Sequence, residues 1–311
     1  MDRRERCGNH PERQAVGVCH VCKRHLCAEC LEEGPEYYYC RSDACLRVYA
    51  ETLAEHRNRE ERSACPGNPE EQAWVEKSFL WLIEQFGADT LKSVSVVIPT
   101  SEFFPNAYDG SDEAVETLAH AVSGYMKVDP GRLDFLFYQD HVPDAHLVSL
   151  YESSRRGTAG LFCRPGADDK IIIGLEMHNL EAPERLVAVI AHELAHVHLI
   201  ADNRLSGLED DHEPLADLLT VFFGLGVFTA NAAFHFSQWQ EGLQAGWSMR
   251  TMGYLPEPIY GHALAVFCWV RQELKPSWSK YLASDVEHYR RRSMRFLRRT
   301  QGAGLPVLGR A

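Results

Sequence analysis

The sequence has no apolar run long enough to cross a membrane and no excess of positive charge. Its longest apolar run, "LLTVFFGLGVFTA" at 218–230, is shorter than the about 20 residues that a membrane-spanning helix needs. The opening residues "MDRRERCGNH" are charged and lack the apolar stretch of a signal peptide. The net charge of −12 argues against a general attraction to nucleic acid. These absences predict a soluble cytoplasmic protein without a membrane span.

Most of the cysteine is confined to the first fifty residues. Seven of the ten cysteines lie between positions 7 and 45. With one histidine they form four closely spaced pairs: Cys7 with His10, Cys19 with Cys22, Cys27 with Cys30, and Cys40 with Cys45. Short spacers let both side chains of a pair reach one tetrahedral ion, so eight ligands predict two structural zinc sites rather than disulfides. A segment this short could not fold by burial alone, and zinc would supply the missing free energy.

The order of these pairs resembles the B-box type of zinc finger, in which ligand pairs interleave in a cross-brace. The resemblance implies two zinc sites: Cys7, His10, Cys27 and Cys30 in one, and Cys19, Cys22, Cys40 and Cys45 in the other. The four-residue spacer after Cys40 departs from the family, and His20 and His25 are alternative ligands. The finger would recruit a protein partner or substrate. Residues 1–65 carry 11 basic and 12 acidic side chains, which disfavours nucleic acid.

A second group of ligand-type residues lies in the otherwise apolar stretch "IAHELAHVHLI" at 190–200. Pro183 begins a predicted helix that continues through it. His192 and His196 are four residues apart, so they project from one face, about 40° apart around the helix axis. Glu193 points to the side, where a carboxylate can take a proton from a zinc-bound water. This is the H-E-x-x-H zincin pattern. The alternative is that both histidines are core residues.

A catalytic zinc site needs a third protein ligand, which the following sequence can supply. The stretch 170–225 resembles the gluzincin, or thermolysin-like, metallopeptidases, which take a glutamate from the next helix and an aspartate four residues after it. The segment "HEPLAD" matches this pattern, whereas the metzincin pattern, with its third histidine, is absent. The resemblance implies Glu213 as the third ligand and Asp217 as the residue that orients the ring of His192. The neighbouring alternative ligands are Glu209, Asp210, Asp211 and His212.

Hydrolysis also needs a donor for the developing oxyanion. Gluzincins use a histidine or tyrosine from the later helical part, and the candidates here are Tyr254, Tyr260 and His262. Each could instead be a core residue, because aromatic side chains on an apolar helix are commonly buried. His198 faces away from the H-E-x-x-H pair, and we expect a structural role for it.

The two resemblances together predict a zinc-dependent metallopeptidase, a hydrolase with about three zinc ions per chain, one catalytic and two structural. Glu193 would act as general base and then as general acid on a peptide or protein substrate. The alternative is a non-catalytic zinc-binding scaffold or interaction protein that retains a zincin fold. The intact Glu193 counts against this alternative, because a scaffold does not need a base beside the metal.

The order of elements predicts an α+β fold. A small cross-brace zinc finger precedes a zincin-like domain with a small sheet and a mainly helical C-terminal half. Strands are predicted at 92–99, 133–139, 159–164 and 170–176, and helices at about 112–126 and from 183 onward. The predicted domains are the finger at 1–48, a helix and charged linker at 49–72, the zincin-like domain at 73–285 and a basic C-terminal tail at 286–311. We interpret the run "YRRRSMRFLRR" as a solvated helix or tail.

Overall fold

The computed structural model describes residues 6–33, 37–51, 53, 65–138, 160–163, 170–205, 211–240 and 255–308. The chain divides into two compact units, Met1–Ala64 and Cys65–Ala311, called unit 1 and unit 2 below. The finer four-part division of the chain stays a prediction. Within the described residues, no helix is both long and apolar enough to span a bilayer.

Unit 1 is built from two short antiparallel hairpins. Strand β1 (Gly17–Val18) pairs with β2 (His25–Leu26), and β3 (Leu31–Glu33) pairs with β4 (Tyr38–Cys40). A helix, α1, covers residues 43–51. The buried cluster of this unit consists of six cysteines and two leucines: Cys7, Cys19, Leu26, Cys27, Cys30, Leu31, Cys40 and Cys45. Strands of two or three residues with so small an apolar core need another source of stability.

Unit 2 contains a small mixed sheet in which β7 is central. The strands are β5 (Leu133–Tyr138), β6 (Gly160–Cys163) and β7 (Ile171–Glu176), in the order β5-β7-β6. β7 runs parallel to β5 and antiparallel to β6. Ile171, Ile173 and Leu175 alternate along β7 and are buried, as the two-residue period of a strand requires. The strands predicted at 133–139, 159–164 and 170–176 are confirmed.

Helices make up most of the rest of unit 2, as the sequence predicts from 183 onward. They are α2 (Pro69–Phe86), α3 (Ala88–Ser93), α4 (Asp112–Tyr125), α5 (Pro183–His196), α6 (His212–Phe222), α7 (Gly226–Gln240), α8 (Glu257–Val270) and α9 (Ser284–Arg299). Ser111 caps α4, which matches the helix predicted at 112–126. Pro183 occupies the first turn of α5, and every residue from 186 to 196 is buried. α5 contacts α4, α6, α7 and the sheet, so it is the central element of the unit.

The strand predicted at 92–99 is wrong. Its first residues end α3, and residues 94–98 belong to no strand. Their partners lie far away in sequence: the Val97 N–H donates to the Gly224 carbonyl at 2.9 Å. The buried Arg271 guanidinium donates to the carbonyls of Leu91 and Val94, both at 2.7 Å. An arginine and a helix-connecting turn therefore satisfy the backbone groups that a neighbouring strand would otherwise bind.

The basic run at 289–299 lies entirely within α9, which packs along α8. Gly261 of α8 permits this approach, because an added Cβ there would lie 2.4 Å from the Cβ of Tyr289. Val286, Met294 and Leu297 point inward and are buried, whereas the exposed face carries arginines 291, 295 and 298. The segment is thus an amphipathic helix with one packed face and one charged face.

Candidate metal centres

The first ligand group of unit 1 consists of Cys7, His10, Cys27 and Cys30, whose ligand atoms all lie within 4.8 Å of one another. The Cys7 and Cys30 sulfurs are 3.9 Å apart, and His10 Nδ1 lies 3.3 Å from the Cys30 sulfur and 3.5 Å from the Cys27 sulfur. A disulfide would need about 2.05 Å between sulfurs. A tetrahedron with zinc–sulfur bonds of 2.3 Å has edges of about 3.8 Å. The spacing therefore fits one shared ion.

The second ligand group consists of Cys19, Cys22, Cys40 and Cys45. The sulfurs of Cys22 and Cys40 are 3.7 Å apart, which again matches a tetrahedral edge. Arg24 donates to both of these sulfurs, at 3.4 Å and 3.8 Å. Burial disfavours the thiolate of Cys40, but hydrogen bonds, chiefly from Ser42, outweigh it and lower its pKa to about 6. Donors around the Cys22 and Cys40 sulfurs thus favour the charged form that binds a metal.

The two groups interleave along the chain in the order that the B-box resemblance implies. The alternative ligand His20 is not in the second group, because its ring stacks on Tyr37 with centroids 4.0 Å apart. His25 lies in β2 and is exposed. The eight candidate ligands form four pairs along the sequence, and the fold brings these pairs together as two groups of four.

The third ligand group lies in unit 2 and consists of His192, His196 and Glu213. Nε2 of His192 lies 3.2 Å from Nε2 of His196 and 3.0 Å from Oε2 of Glu213, and the third separation is 3.4 Å. Zinc bonds of about 2.05 Å to nitrogen and oxygen give tetrahedral edges of about 3.3 Å. The three atoms are spaced as three corners of such a tetrahedron, and a fourth protein ligand is absent from this group among the described residues.

Asp217 fixes the ring of His192. Its Oδ1 accepts a hydrogen bond from Nδ1 of His192 at 2.7 Å, so Nε2 is the nitrogen that faces the ligand group. Burial opposes a charge on His192, but Asp217 and Glu213 outweigh burial and raise its pKa well above the usual value. Burial lowers the pKa of His196 instead. One proton cannot satisfy all three converging acceptor atoms, whereas one cation can, so the group fits a metal.

Glu193 is the buried carboxylate next to the ligands. Its residue is 4 % exposed, and Oε2 has no hydrogen-bond partner within the described part of the chain. Burial raises the pKa of Glu193 to about 8, against the opposing charge of His192. A partnerless carboxylate oxygen in a protein interior is costly. Such a cost is typical of a functional site, where a reacting group supplies the missing partner.

The residues around Glu213 include one contact that the sequence did not predict. His212, an alternative ligand by its position in the sequence, instead places Nε2 3.2 Å from Oε1 of Glu213. Asp211 accepts a hydrogen bond from the Trp74 indole at 3.0 Å. Glu209 and Asp210 lie outside the described residues. The sequence did contain a signal for this contact, because His212 directly precedes the candidate ligand Glu213 and both residues lie at the beginning of α6.

A second unanticipated contact concerns the far side of Asp217. Its Oδ2 accepts the backbone N–H of Leu255 at 2.6 Å. The carboxylate therefore links α5 to the chain that enters α8. No sequence signal identifies a backbone donor at this distance along the chain, because only tertiary packing brings it there.

None of the described contacts joins a candidate oxyanion donor to the ligand group of unit 2. Tyr254 lies outside the described residues. Tyr260 and His262 are both buried in α8. His262 Nδ1 lies 3.2 Å from the sulfur of Cys65, and Nε2 lies 3.4 Å from Oε1 of Glu76. His262 thus joins α8 to the beginning of unit 2, and we assign it no part in the site.

His198 has the structural role expected of it. Its ring is buried, donates from Nε2 to the Met126 carbonyl at 2.7 Å and stacks on Phe223 with centroids 5.1 Å apart. A largely open cavity of about 610 Å³ lies near the first turn of α5, between Thr100, Tyr108 and Phe228. The three ligands of unit 2 do not line it, so it is separate from the candidate site.

Comparisons with protein-family models, with curated proteins and with solved structures found no match for this chain. The observations that bear on function are therefore the ligand groups themselves. Unit 1 has two groups of four ligands, and unit 2 has one group of three ligands beside a buried carboxylate.

Proposed function

We propose that this protein is a zinc-dependent metallopeptidase of the gluzincin type. The observation that carries the proposal is the convergence of His192, His196 and Glu213 beside Glu193, whose Oε2 has no partner in the described chain. Catalytic zinc sites use three protein ligands and keep one position for water or substrate, whereas structural sites use four. The group in unit 2 follows the first pattern.

The ligands and their neighbours have distinct roles in this proposal. His192, His196 and Glu213 hold the zinc ion, and Asp217 keeps the proton of His192 on Nδ1, away from the ion. When bound, zinc supplies a Lewis acid that polarises a carbonyl oxygen and makes water more acidic. Burial on α5 holds both histidines rigidly, since their side chains are only 4 % exposed.

Glu193 is the proposed general base and general acid. Its Oε2 accepts a proton from the attacking water and returns that proton to the amine that leaves as the peptide bond breaks. The carboxylate suits this role because no described neighbour occupies that oxygen. Its position on the same helix as two ligands fixes it relative to the reaction centre.

Unit 1 is proposed to be a B-box-type zinc finger with two structural zinc ions. Its two groups of four ligands leave no open position, so it would recruit a substrate or a protein partner rather than catalyse. Free thiols at metal-ligand spacing are typical of proteins in a reducing compartment, and we propose the cytoplasm. The total is about three zinc ions per chain.

The test of this function is the change Glu193→Gln in the full-length protein. We expect this variant to keep its third zinc ion but to lose peptide hydrolysis by about 10²–10⁴-fold, because the amide cannot accept the proton. Cleavage of a mixed peptide library, followed by mass spectrometry, measures the rate for many candidate substrates at once. The matched control is Glu184→Gln, which changes an exposed carboxylate on the same helix.

Two outcomes would contradict the proposed chemistry. Full activity in the Glu193→Gln variant would remove the proposed base from the mechanism. If the wild type held three zinc ions but cleaved no peptide in the library, the alternative of a zinc-binding scaffold would be favoured instead.

A further inference from the structure

We propose that His212 is a positioning residue for the zinc ligand Glu213, and that it restricts this ligand to one of its two carboxylate oxygens. The inference rests on the proposed zinc peptidase site and adds to it a residue outside the ligand set. Its basis is the arrangement of hydrogen-bonding atoms around the Glu213 carboxylate.

The two oxygens of Glu213 face different partners. Oε2 lies 3.0 Å from Nε2 of His192 and 3.4 Å from Nε2 of His196, so it is the oxygen of the ligand group. Oε1 lies 3.2 Å from Nε2 of His212. An imidazole N–H that donates to Oε1 occupies one of the two lone-pair sites of this oxygen and competes with the ion for it. The contact therefore favours binding through Oε2 alone.

This contact compensates for the exposure of Glu213. The side chain of Glu213 is 29 % exposed, whereas those of both histidine ligands are 4 % exposed. His192 is held by the buried carboxylate of Asp217, and a more exposed carboxylate needs a similar partner to keep one orientation. His212 provides that partner from the adjacent position in the chain.

The beginning of α6 holds His212 in place. Asp211 precedes it and is hydrogen-bonded to the indole of Trp74 on α2. Pro214 lies in the first turn of α6 and fixes its own φ there. The ring of His212 lies against that of His196, with centroids 5.8 Å apart. The imidazole is therefore confined by a helix start, a ring and an anchored neighbour, and it is suited to hold another side chain still.

The proposal is tested by the affinity for the third zinc ion, measured by competition with a chelator of known affinity. The variants are His212→Ala, which removes the donor, and His212→Gln, whose amide N–H can replace it. We expect His212→Ala to weaken zinc binding by about 10–100-fold, as loss of such partners generally does. His212→Gln should recover most of this loss. The matched control His120→Ala changes an exposed histidine of α4 and should bind as the wild type does.

Cobalt in the third site supplies a readout that a general structural effect would not move. The finger sites keep zinc, and the spectrum of the double variant His192→Ala with His196→Ala is subtracted. Four-coordinate cobalt absorbs visible light more strongly than five-coordinate cobalt, because tetrahedral geometry relaxes the selection rule for its d–d transitions. We expect a strong band in the wild type and a weaker one in His212→Ala, where Oε1 of Glu213 can join the ion.

The outcomes separate this inference from the proposed function. Wild-type zinc affinity in His212→Ala, or equally weak binding in His212→Gln, would overturn the role of His212 while leaving the peptidase proposal intact. A wild type without a third zinc ion would overturn both. If the wild type cleaves no peptide but the zinc affinities of the His212 variants are as expected, the result would count against the peptidase and support the positioning role.

Discussion

The two units of this protein place their candidate metal ligands in opposite surroundings. In unit 1 the buried cluster is itself made of ligands, with Leu26 and Leu31 as its only aliphatic members among the described residues. In unit 2 the ligands project from α5 and α6 into a site surrounded by an extensive apolar core. A zinc ion would therefore have a different role in each unit. It would stabilise the fold of unit 1, whereas the apolar core of unit 2 would position the ligands without it.

This difference agrees with the proposal that the site in unit 2 keeps an open coordination position. A metal that stabilises a fold is most effective when the protein supplies all four ligands. A catalytic site needs a rigid frame that does not depend on the ion, and the fully buried residues 186–196 of α5 provide it. The unit with the smaller apolar core thus has four candidate ligands in each group, and the unit with the larger core has three.

The largest expected effect comes from removing zinc from unit 1. Structural zinc contributes about 10–16 kcal/mol to the folding of small zinc-finger peptides, and the two leucines cannot replace it. With Cys27→Ser and Cys30→Ser, or with a strong chelator, we expect residues 6–51 to lose protection from amide hydrogen exchange. Residues 186–196 should stay protected. Hydrogen exchange followed by mass spectrometry measures both segments in one sample.

This comparison would fail in either of two ways. Protection of the finger that survives loss of zinc would mean that its hairpins are stable by themselves. Equal loss of protection in α5 would mean that the core of unit 2 also depends on the metal. The variant Cys268→Ser is the control, because it removes a buried thiol of unit 2 that is not a proposed ligand.

A smaller effect concerns how fast the cysteine thiols of the two units react with an alkylating reagent. Burial raises the pKa of Cys65 to about 11 and that of Cys268 to about 12, so both thiols are protonated at pH 8. Once zinc is removed, the finger thiols should react with iodoacetamide at ordinary rates. A pKa raised by two units lowers the thiolate fraction about 100-fold, so Cys65 should react about 100-fold more slowly.

The sign of the pH dependence follows from the same shift. Because the pKa is raised, the reaction rate of Cys65 should keep increasing about tenfold per pH unit up to pH 11, while that of ordinary thiols levels off near pH 9. Mass spectrometry of each labelled cysteine follows both rates, and all cysteines should react alike in denaturant. Labelling of Cys65 as fast as that of the finger cysteines in the folded protein would contradict its burial.

Local spacing made much of this structure predictable. Ligand pairs three or five residues apart, and histidines four residues apart on a helix, are set by the chain itself, so the candidate ligand groups could be identified from the sequence. The strands at 133–138 and 171–176 follow from short runs of aliphatic and aromatic residues. The segment 92–99 has a similar composition, but its backbone partners are Arg271 and Gly224, more than a hundred residues away. Composition carries no information about such partners.

The same limit applies to the surroundings of the candidate site. The hydrogen bond of Leu255 to Asp217 depends on how distant elements pack, and so do the contacts of His262 with Cys65 and Glu76. His212 was visible in the sequence only as an alternative ligand. Its distance of 3.2 Å from Oε1 of Glu213 is the observation that indicates a positioning role instead.

The central claim is that unit 2 holds a zinc ion of its own, and the most direct test is the zinc content per chain. We would measure it by mass spectrometry of metals for the wild type and for the double variant His192→Ala with His196→Ala. The account predicts about three ions in the wild type and about two in the variant. Two ions in both proteins would contradict it, because the histidines of α5 would then be core residues and the protein a zinc-finger module joined to a domain without a metal.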